Sequence, residues 1–494
     1  MRRDTVPSVP RPRSPGVSRA CGPAGGVVRS ARLLALALAT ACGRGDPEPP
    51  DPQALRLPTG ALLAPDGGWL FVANSNLDLG VAASTLVVLD LRALDRAFAE
   101  PPRPVGSEPT ADAPCRVSED RNEEAAGEDL EIVECEPRFF IQRDHTVRLP
   151  SGAGNVALDL PSGGEGPWRL LVPSSIDRAV TWVDITRDAS GIEVECGQDG
   201  EGECDAAHRL THLGNDPQAE RLPADPARLT VDAGGFRYAY LPHLLGARMT
   251  LIALDAEYGP KITDMAAEFF LADPVNQGTL AGGFAVAQRP CDLAEPPDLT
   301  RGCTRPLLYA TQRFWPGLRA FTVETGRDVL VRSGNFSLVR VNPFESADRP
   351  FMGALQFEDP EAGERLLAVH TTPPSLSLVD TSLNDVDEPI NDPIDSVALC
   401  ENPNVLAVHR PAGGERVAFV SCYSADEVAA VALGSFRVVA TIEVDDGPNE
   451  LVVDEARRKL YVVHTLASTI GVVELDRTSP RYLHMIRRIG LQGG

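Results

Sequence analysis

Apolar residues in this chain come in short runs rich in Val, Leu, Ala and Ile, and the runs recur in groups. The clearest group is the last. Gly447-Pro448-Asn449 opens Glu450 to Asp454, then come Arg457 to His464 and Ser468 to Asp476, with turn residues between them. β-branched and aromatic residues fill the runs, so each reads as a strand. The preceding group has the same grammar: Asn402 to His409, Glu415 to Ser421 and Glu427 to Leu433, with a further run before each opening proline, Ser396 to Cys400 and Val438 to Val444. Five earlier groups match, and the third run of each group ends at residue 90, 184, 255, 324, 380, 432 or 474.

Seven copies are therefore expected, with a spacing that shrinks from 94 residues at the N-terminal end to 42 at the C-terminal end. The short limit matches the ~40–50 residues of a four-stranded propeller blade, and the excess reads as loop insertion. A lone four-stranded sheet has two apolar faces and two open edges. Arranged radially, such sheets bury face against face and keep only short edges. The pattern predicts an all-β fold, a seven-bladed β-propeller of four-stranded antiparallel blades over 54–494, with residues after each third run supplying the outer strand. In the last blade that strand is expected within Tyr482 to Leu491.

The motif Pro-x-x-apolar, then Leu70-Phe71-Val72-Ala73-Asn74 or Leu460-Tyr461-Val462-Val463-His464, then Val/Ile-x-Val-Ile/Val-Asp resembles the YVTN family of β-propeller repeats. The resemblance spans most of the chain and is strongest at its two ends. It implies a blade and not a reaction, because such folds host surface-layer and periplasmic proteins, lactonases and quinoprotein-type enzymes alike.

Composition narrows the partners. A formal charge of −24 excludes a reader of the phosphate backbone, which needs a basic face, so no nucleic acid is expected. No apolar run reaches the ~18–20 residues of a membrane-spanning helix. The N-terminus carries an address instead. Met1 to Arg32 holds seven Arg and a single acid, then Leu33 to Leu38 are apolar, and Ala39-Thr40-Ala41-Cys42-Gly43 follows. This order describes a secretory signal over 1–41, or one from a later start at Val27 or Val28. The cysteine resembles that of a bacterial lipobox, with Leu38 one position early for the motif. That resemblance implies an acylated Cys42, a flexible tether over 42–53 and a lipid anchor in the cell envelope, with Gly43 tilting towards the outer membrane. An ordinary signal peptide is the alternative.

Cys21 lies in the signal, which leaves eight cysteines besides Cys42. They fall as neighbours: Cys115 with Cys135, Cys196 with Cys204, Cys291 with Cys303, Cys400 with Cys422. The clustering favours sequential disulfides, which suits an oxidising compartment. No Cys-x₂₋₄-Cys knuckle for zinc is present. In the expected fold Cys400 precedes an inner strand and Cys422 ends a second strand on the same face; the other pairs sit in insertions.

Chemistry is sparse. The chain has no Cys-x-x-Cys-His, Gly-x-Ser-x-Gly, phosphate-binding Gly-x₄-Gly-Lys or His-Glu-x-x-His motif, and neither a cofactor nor a metal is expected. His208 and His212 lie too far apart in a strand for one metal. Aligning the groups places Asn74, Ser174, His243, Thr311, His370, Cys422 and His464 at the end of successive second strands. His243, His370 and His464 are the candidate ligand face, or they cap strand ends. Arg228 and Glu450, with Asn155 and Ser396 or Asn404, fall at inner-strand starts near the axis, where they orient a small anion or peptide terminus or pair with each other. Acidic residues from Asp385 to Asp395 offer oxygen ligands but lack a calcium-loop pattern, so a solvated loop is expected. The expected function is a monomeric, non-catalytic envelope propeller binding a protein, peptide or glycan. A lactonase or quinoprotein-like enzyme at the channel mouth is the alternative, and it requires Arg228, Glu450 and at least two of the histidines to converge.

Overall fold

The computed structural model describes residues 47–122, 130–161, 166–188, 191–232, 235–255, 259–270, 281–290, 305–338, 350–386 and 388–491. The segment expected to be a signal (1–41), Cys42, Cys291 and Cys303 lie outside them. The body runs from Glu48 to the C-terminus, a unit separate from Met1–Pro47.

Seven sheets form, each with a four-stranded antiparallel core. Blade 1 is Pro58–Leu63, Trp69–Asn74, Ser84–Asp90 and Val147–Leu149; blade 2 is Ala157–Asp159, Trp168–Ser174, Ala179–Asp188 and Gly191–Glu195. Blade 3 is Thr230–Val231, Tyr238–Pro242, Met249–Ala253 and Lys261–Ala266; blade 4 is Val286–Gln288, Leu308–Thr311, Gly317–Glu324 and Val329–Ser337. Blade 5 is Phe351–Phe357, Arg365–Thr372, Ser375–Asp380 and Asp392–Ala398; blade 6 is Pro403–His409, Val417–Cys422, Glu427–Ala432 and Arg437–Glu443. Blade 7 contains Pro448–Asp454, Lys459–His464, Thr469–Glu474 and Met485–Ile489. The propeller is the expected one, and its last outer strand lies inside the predicted interval.

Burial explains the run composition. Second strands such as Trp69–Asn74 and Val417–Cys422 are buried along their whole length, because both faces of each sheet meet a neighbouring blade. They read as continuous apolar runs for that reason. Outer strands such as Arg437–Glu443 are mostly exposed. Near the axis the inner strands approach closely. A Cβ on Gly60 would strike the backbone of Gly154 and Asn155, and one on Gly353 would strike Asn404 O.

Each seam between consecutive blades carries a hydrogen bond. Thr59 Oγ1 donates to Ala153 O (2.6 Å), Asn155 Nδ2 to Leu229 O (2.9 Å), and Arg228 N to Phe284 O (3.1 Å). Phe314 N donates to Pro350 O (2.9 Å), Thr371 Oγ1 to Pro403 O (2.7 Å), and Asn404 Nδ2 to Asn449 Oδ1 (3.0 Å). The ring closes where Thr465 Oγ1 donates to Pro58 O (2.6 Å) and Leu57 N to Ser468 Oγ (3.1 Å).

Blade 1 departs from the pattern. After its third strand comes a helix, Leu91–Ala99, capped by Asp90 accepting from Ala93 N, and the outer strand arrives only at Val147–Leu149. The intervening hairpin, Cys115–Asn122 with Leu130–Cys135, adds to the other end of the ring: Leu130–Cys135 pairs in parallel with Met485–Ile489 and extends blade 7 to six strands. The insertion thus straps the first blade onto the last. In blade 2, Arg209–Leu210 continues the outer edge beyond Gly191–Glu195, and the Cys196–Cys204 disulfide links the two segments.

Cys115–Cys135 and Cys400–Cys422 are also bonded, so three of the sequential pairs are present among the described residues. Cys115 and Cys135 face each other across the strap hairpin rather than in a free loop. Peptide mapping under non-reducing conditions is expected to recover these three bridges intact; any cross-blade pairing contradicts this topology.

Candidate functional site

The three candidate histidines come from non-adjacent blades and each is buried. His243 Nδ1 lies 3.0 Å from Ala224 O and its Nε2 2.9 Å from Thr250 Oγ1. His370 Nε2 is 3.0 Å from Ser377 Oγ, and His464 Nδ1 is 2.9 Å from Thr469 Oγ1. Every hydroxyl belongs to the opening of the third strand of the same blade. Asn74 repeats the arrangement in blade 1 by donating to Thr85 Oγ1 (2.9 Å). Burial drives the three imidazoles down to about 4, against the opposing pull of Ala224 O on His243 and of Asp445 on His464. All three are neutral at ordinary pH and tie second strand to third.

Arg228 and Glu450 do meet. Their blades, 3 and 7, are not neighbours, and Arg228 Nη2 donates to Glu450 Oε1 at 2.6 Å. Both stand on inner strands or their approach, so the pair bridges the axis. Glu450 is buried, and its Oε2 accepts no hydrogen bond among the described residues. Asn155 and Asn404 serve the seams described above. Ser396 is placed differently from the alternative reading: it lies in the exposed outer strand Asp392–Ala398, because blade 6 opens at Pro403. The structure therefore joins Arg228 to Glu450, while the described side-chain hydrogen bonds of His243 and His370 stay in their own blades. Among the described residues His464 reaches Asp445 (3.5 Å) besides Thr469.

Removing the guanidinium isolates a buried carboxylate. Arg228→Ala is expected to destabilise the fold by about 1–3 kcal/mol, and adding Glu450→Gln is expected to recover part of that, as read by urea denaturation in a double-mutant cycle.

His208 and His212 have separate partners, Asp205 (2.8 Å) and Thr211 (2.9 Å). In the acidic loop, Asn384 Oδ1 accepts from Val386 N and Glu388 N and folds a turn, while Asp387 lies outside the described residues.

A second polar centre escaped the sequence reading. Arg488 is almost fully buried where blade 7 meets the strap. It donates to Asp445 through Nε (2.6 Å) and Nη2 (2.5 Å), to Ser118 Oγ (3.1 Å) and to Asp120 Oδ2 (3.1 Å), with Glu134 Oε2 at 3.4 Å. Burial raises the affinity of Asp445 for a proton, but the Arg488 hydrogen bonds and charge, with His464 and Thr469, leave it below the usual carboxylate range. The available signal was the pair Arg487-Arg488 set among apolar residues in Met485-Ile486-Arg487-Arg488-Ile489, of which Arg488 is the buried one. Its register partner is Gly471, where a Cβ would strike the His464 ring and the Met485 sulfur.

No protein-family profile and no curated protein matches this sequence. Solved structures that resemble it include a putative 6-phosphogluconolactonase from Bacteroides fragilis, at 14% identity over 78% of this chain and 98% of that one, with a TM-score of 0.48. The periplasmic gluconolactonase PpgL of Pseudomonas aeruginosa aligns at 13% identity over 79% and 86%, with a TM-score of 0.46. The β-propeller domain of Cps50 (Swd1) from Myceliophteria thermophila aligns at 10% identity over 84% and 96%, with a TM-score of 0.47. Neither activity nor ligand transfers at this distance.

Proposed function

We propose that this chain is an exported, lipid-anchored propeller of a bacterial cell envelope, with YVTN-type blades, that acts as a non-catalytic monomer and binds an envelope protein, peptide or glycan through its loop faces. The observation that carries the reading is the engagement of the candidate chemistry. Three neutral histidines are spent on hydrogen bonds that hold strands together, and the axial cation and anion pair with each other through Glu450 Oε1. The disulfides suit an oxidising compartment.

The enzyme alternative, of lactonase or quinoprotein-like type, has one observation in its favour, the unpaired Glu450 Oε2 beside Arg228. Crosslinking in intact cells followed by purification of the acylated protein from solubilised envelopes tests the binding role. A defined envelope component that is recovered with wild type and lost on loop substitution supports it. Hydrolysis of aldonolactones by the pure protein, abolished by Glu450→Gln, would overturn it.

A further inference from the structure

In each blade the inner strand starts, and the second strand ends, on the same face of the ring. The chain enters blade 1 on that face at Pro58, and its entry is pinned there: Ala82 N, in the 75–83 turn, donates to Glu48 O (2.8 Å). Three turns surround the entry point, 75–83 of blade 1, 175–178 of blade 2 and 465–468 of blade 7. Hydrogen bonds join them into one rim, from Leu57 N to Ser468 Oγ, from Ser75 N to Leu57 O, from Gly152 N to Ser75 O, and from Ser175 N to Gly152 O.

The tips of these turns carry aliphatic side chains, with an exposed Asp78–Arg56 ion pair (2.6 Å) set between Leu77 and Leu79. Leu77, Leu79, Ile176 and Leu466 are 49%, 58%, 41% and 54% exposed. Turn tips favour Gly, Asn, Asp and Ser, and grouped exposed apolar side chains mark a surface that meets another apolar phase. Cys42 lies six residues before Glu48, and six residues of extended chain reach at most about 20 Å. An acyl group on Cys42 would therefore keep this face close to the lipid. The acidic chain, −24 overall, opposes an anionic surface, so the contact must be apolar and suits zwitterionic lipid.

We propose that this rim is the membrane-facing surface of the propeller, and that Leu77, Leu79, Ile176 and Leu466 insert at the interface of a zwitterionic bilayer. The proposal rests on the lipid-anchor reading, and the test separates the two. The full-length protein, purified from a bacterial host, is reconstituted into phosphatidylethanolamine–phosphatidylcholine vesicles carrying a diazirine-labelled phospholipid, irradiated and mapped by mass spectrometry. Lipid adducts are expected on the peptides holding residues 77–79, 176 and 466. In the Leu79→Asn, Leu466→Asn variant, or in Leu79→Asn alone if the pair fails to fold, their yield should fall about tenfold or more while the protein stays with the vesicles. Adducts spread evenly, confined to the outer strands, or absent overturn the proposal. The mass of the Cys42 peptide reports the anchor independently. An acylated peptide without rim adducts overturns the rim and leaves the anchor, whereas rim adducts on a protein without acylation overturn the anchor and leave the rim. Absence of both overturns both.

Discussion

Between pH 6.5 and 4.5 the stability of this protein is expected to fall steeply, because three buried histidines stay neutral in the fold. His243, His370 and His464 are each driven from an ordinary 6.5 to about 4. Below pH 6.5 the unfolded chain takes up protons at these sites that the fold refuses, so stability present above 6.5 is lost as pH drops towards 4. Each histidine contributes a slope of up to about 1.4 kcal/mol per pH unit, and the three together about 4. Against a total stability of ~5–15 kcal/mol, that is a large share of what holds the ring together. Urea midpoints from pH 7.5 to 4.5 measure it. Replacing His370 by Asn keeps a polar group near Ser377 and removes the titration, so it should lower stability at pH 7.5 yet remove about a third of the slope. A slope unchanged in His370→Asn would refute this account.

The same histidines show how much the sequence discloses. Their equivalence across blades was readable, since each closes a second strand before a turn. The role they play depends on a hydroxyl five or seven residues later, Thr250, Ser377 or Thr469, and that pairing is also written in the sequence for anyone who reads the two strands as neighbours. The repeated His-Thr at 370–371 and 464–465 says still more. The histidine ties strands within a blade, and the threonine donates to the opening proline of the next blade. Blades 6 and 7 were legible strand by strand because their turns are short. Ser396 was ambiguous because outer and inner strands follow one another without a break in composition. Arg228 and Glu450 were identifiable from their position at inner-strand starts. That they touch follows from ring closure, which no local pattern encodes.

The strap was hidden for a related reason. Leu130–Cys135 pairs with a strand some 350 residues away, and nothing in its composition names that partner. Arg488 is the residue that fixes it, and Arg488→Met should cost about 3–5 kcal/mol, because Asp445 would then be buried without its cation, while Glu134 keeps its ion pair with Arg116 (2.6 Å). The loss should be local before it is global. With Arg488 gone, the hairpin has backbone pairing to Met485–Ile489 but no charge to hold Asp120, so amide exchange in 115–135 and 485–489 should rise while blades 3 to 5 keep their protection. Asp445 sharpens the test. Its carboxyl is held below the usual range by Arg488, so in wild type this contribution is complete above about pH 4 and disappears only as pH falls further. In the variant that acid step should vanish, while the histidine-driven slope at higher pH loses little. If Arg488→Met leaves both exchange and midpoint unchanged, the strap is held to blade 7 by backbone pairing, and the buried charges are passengers.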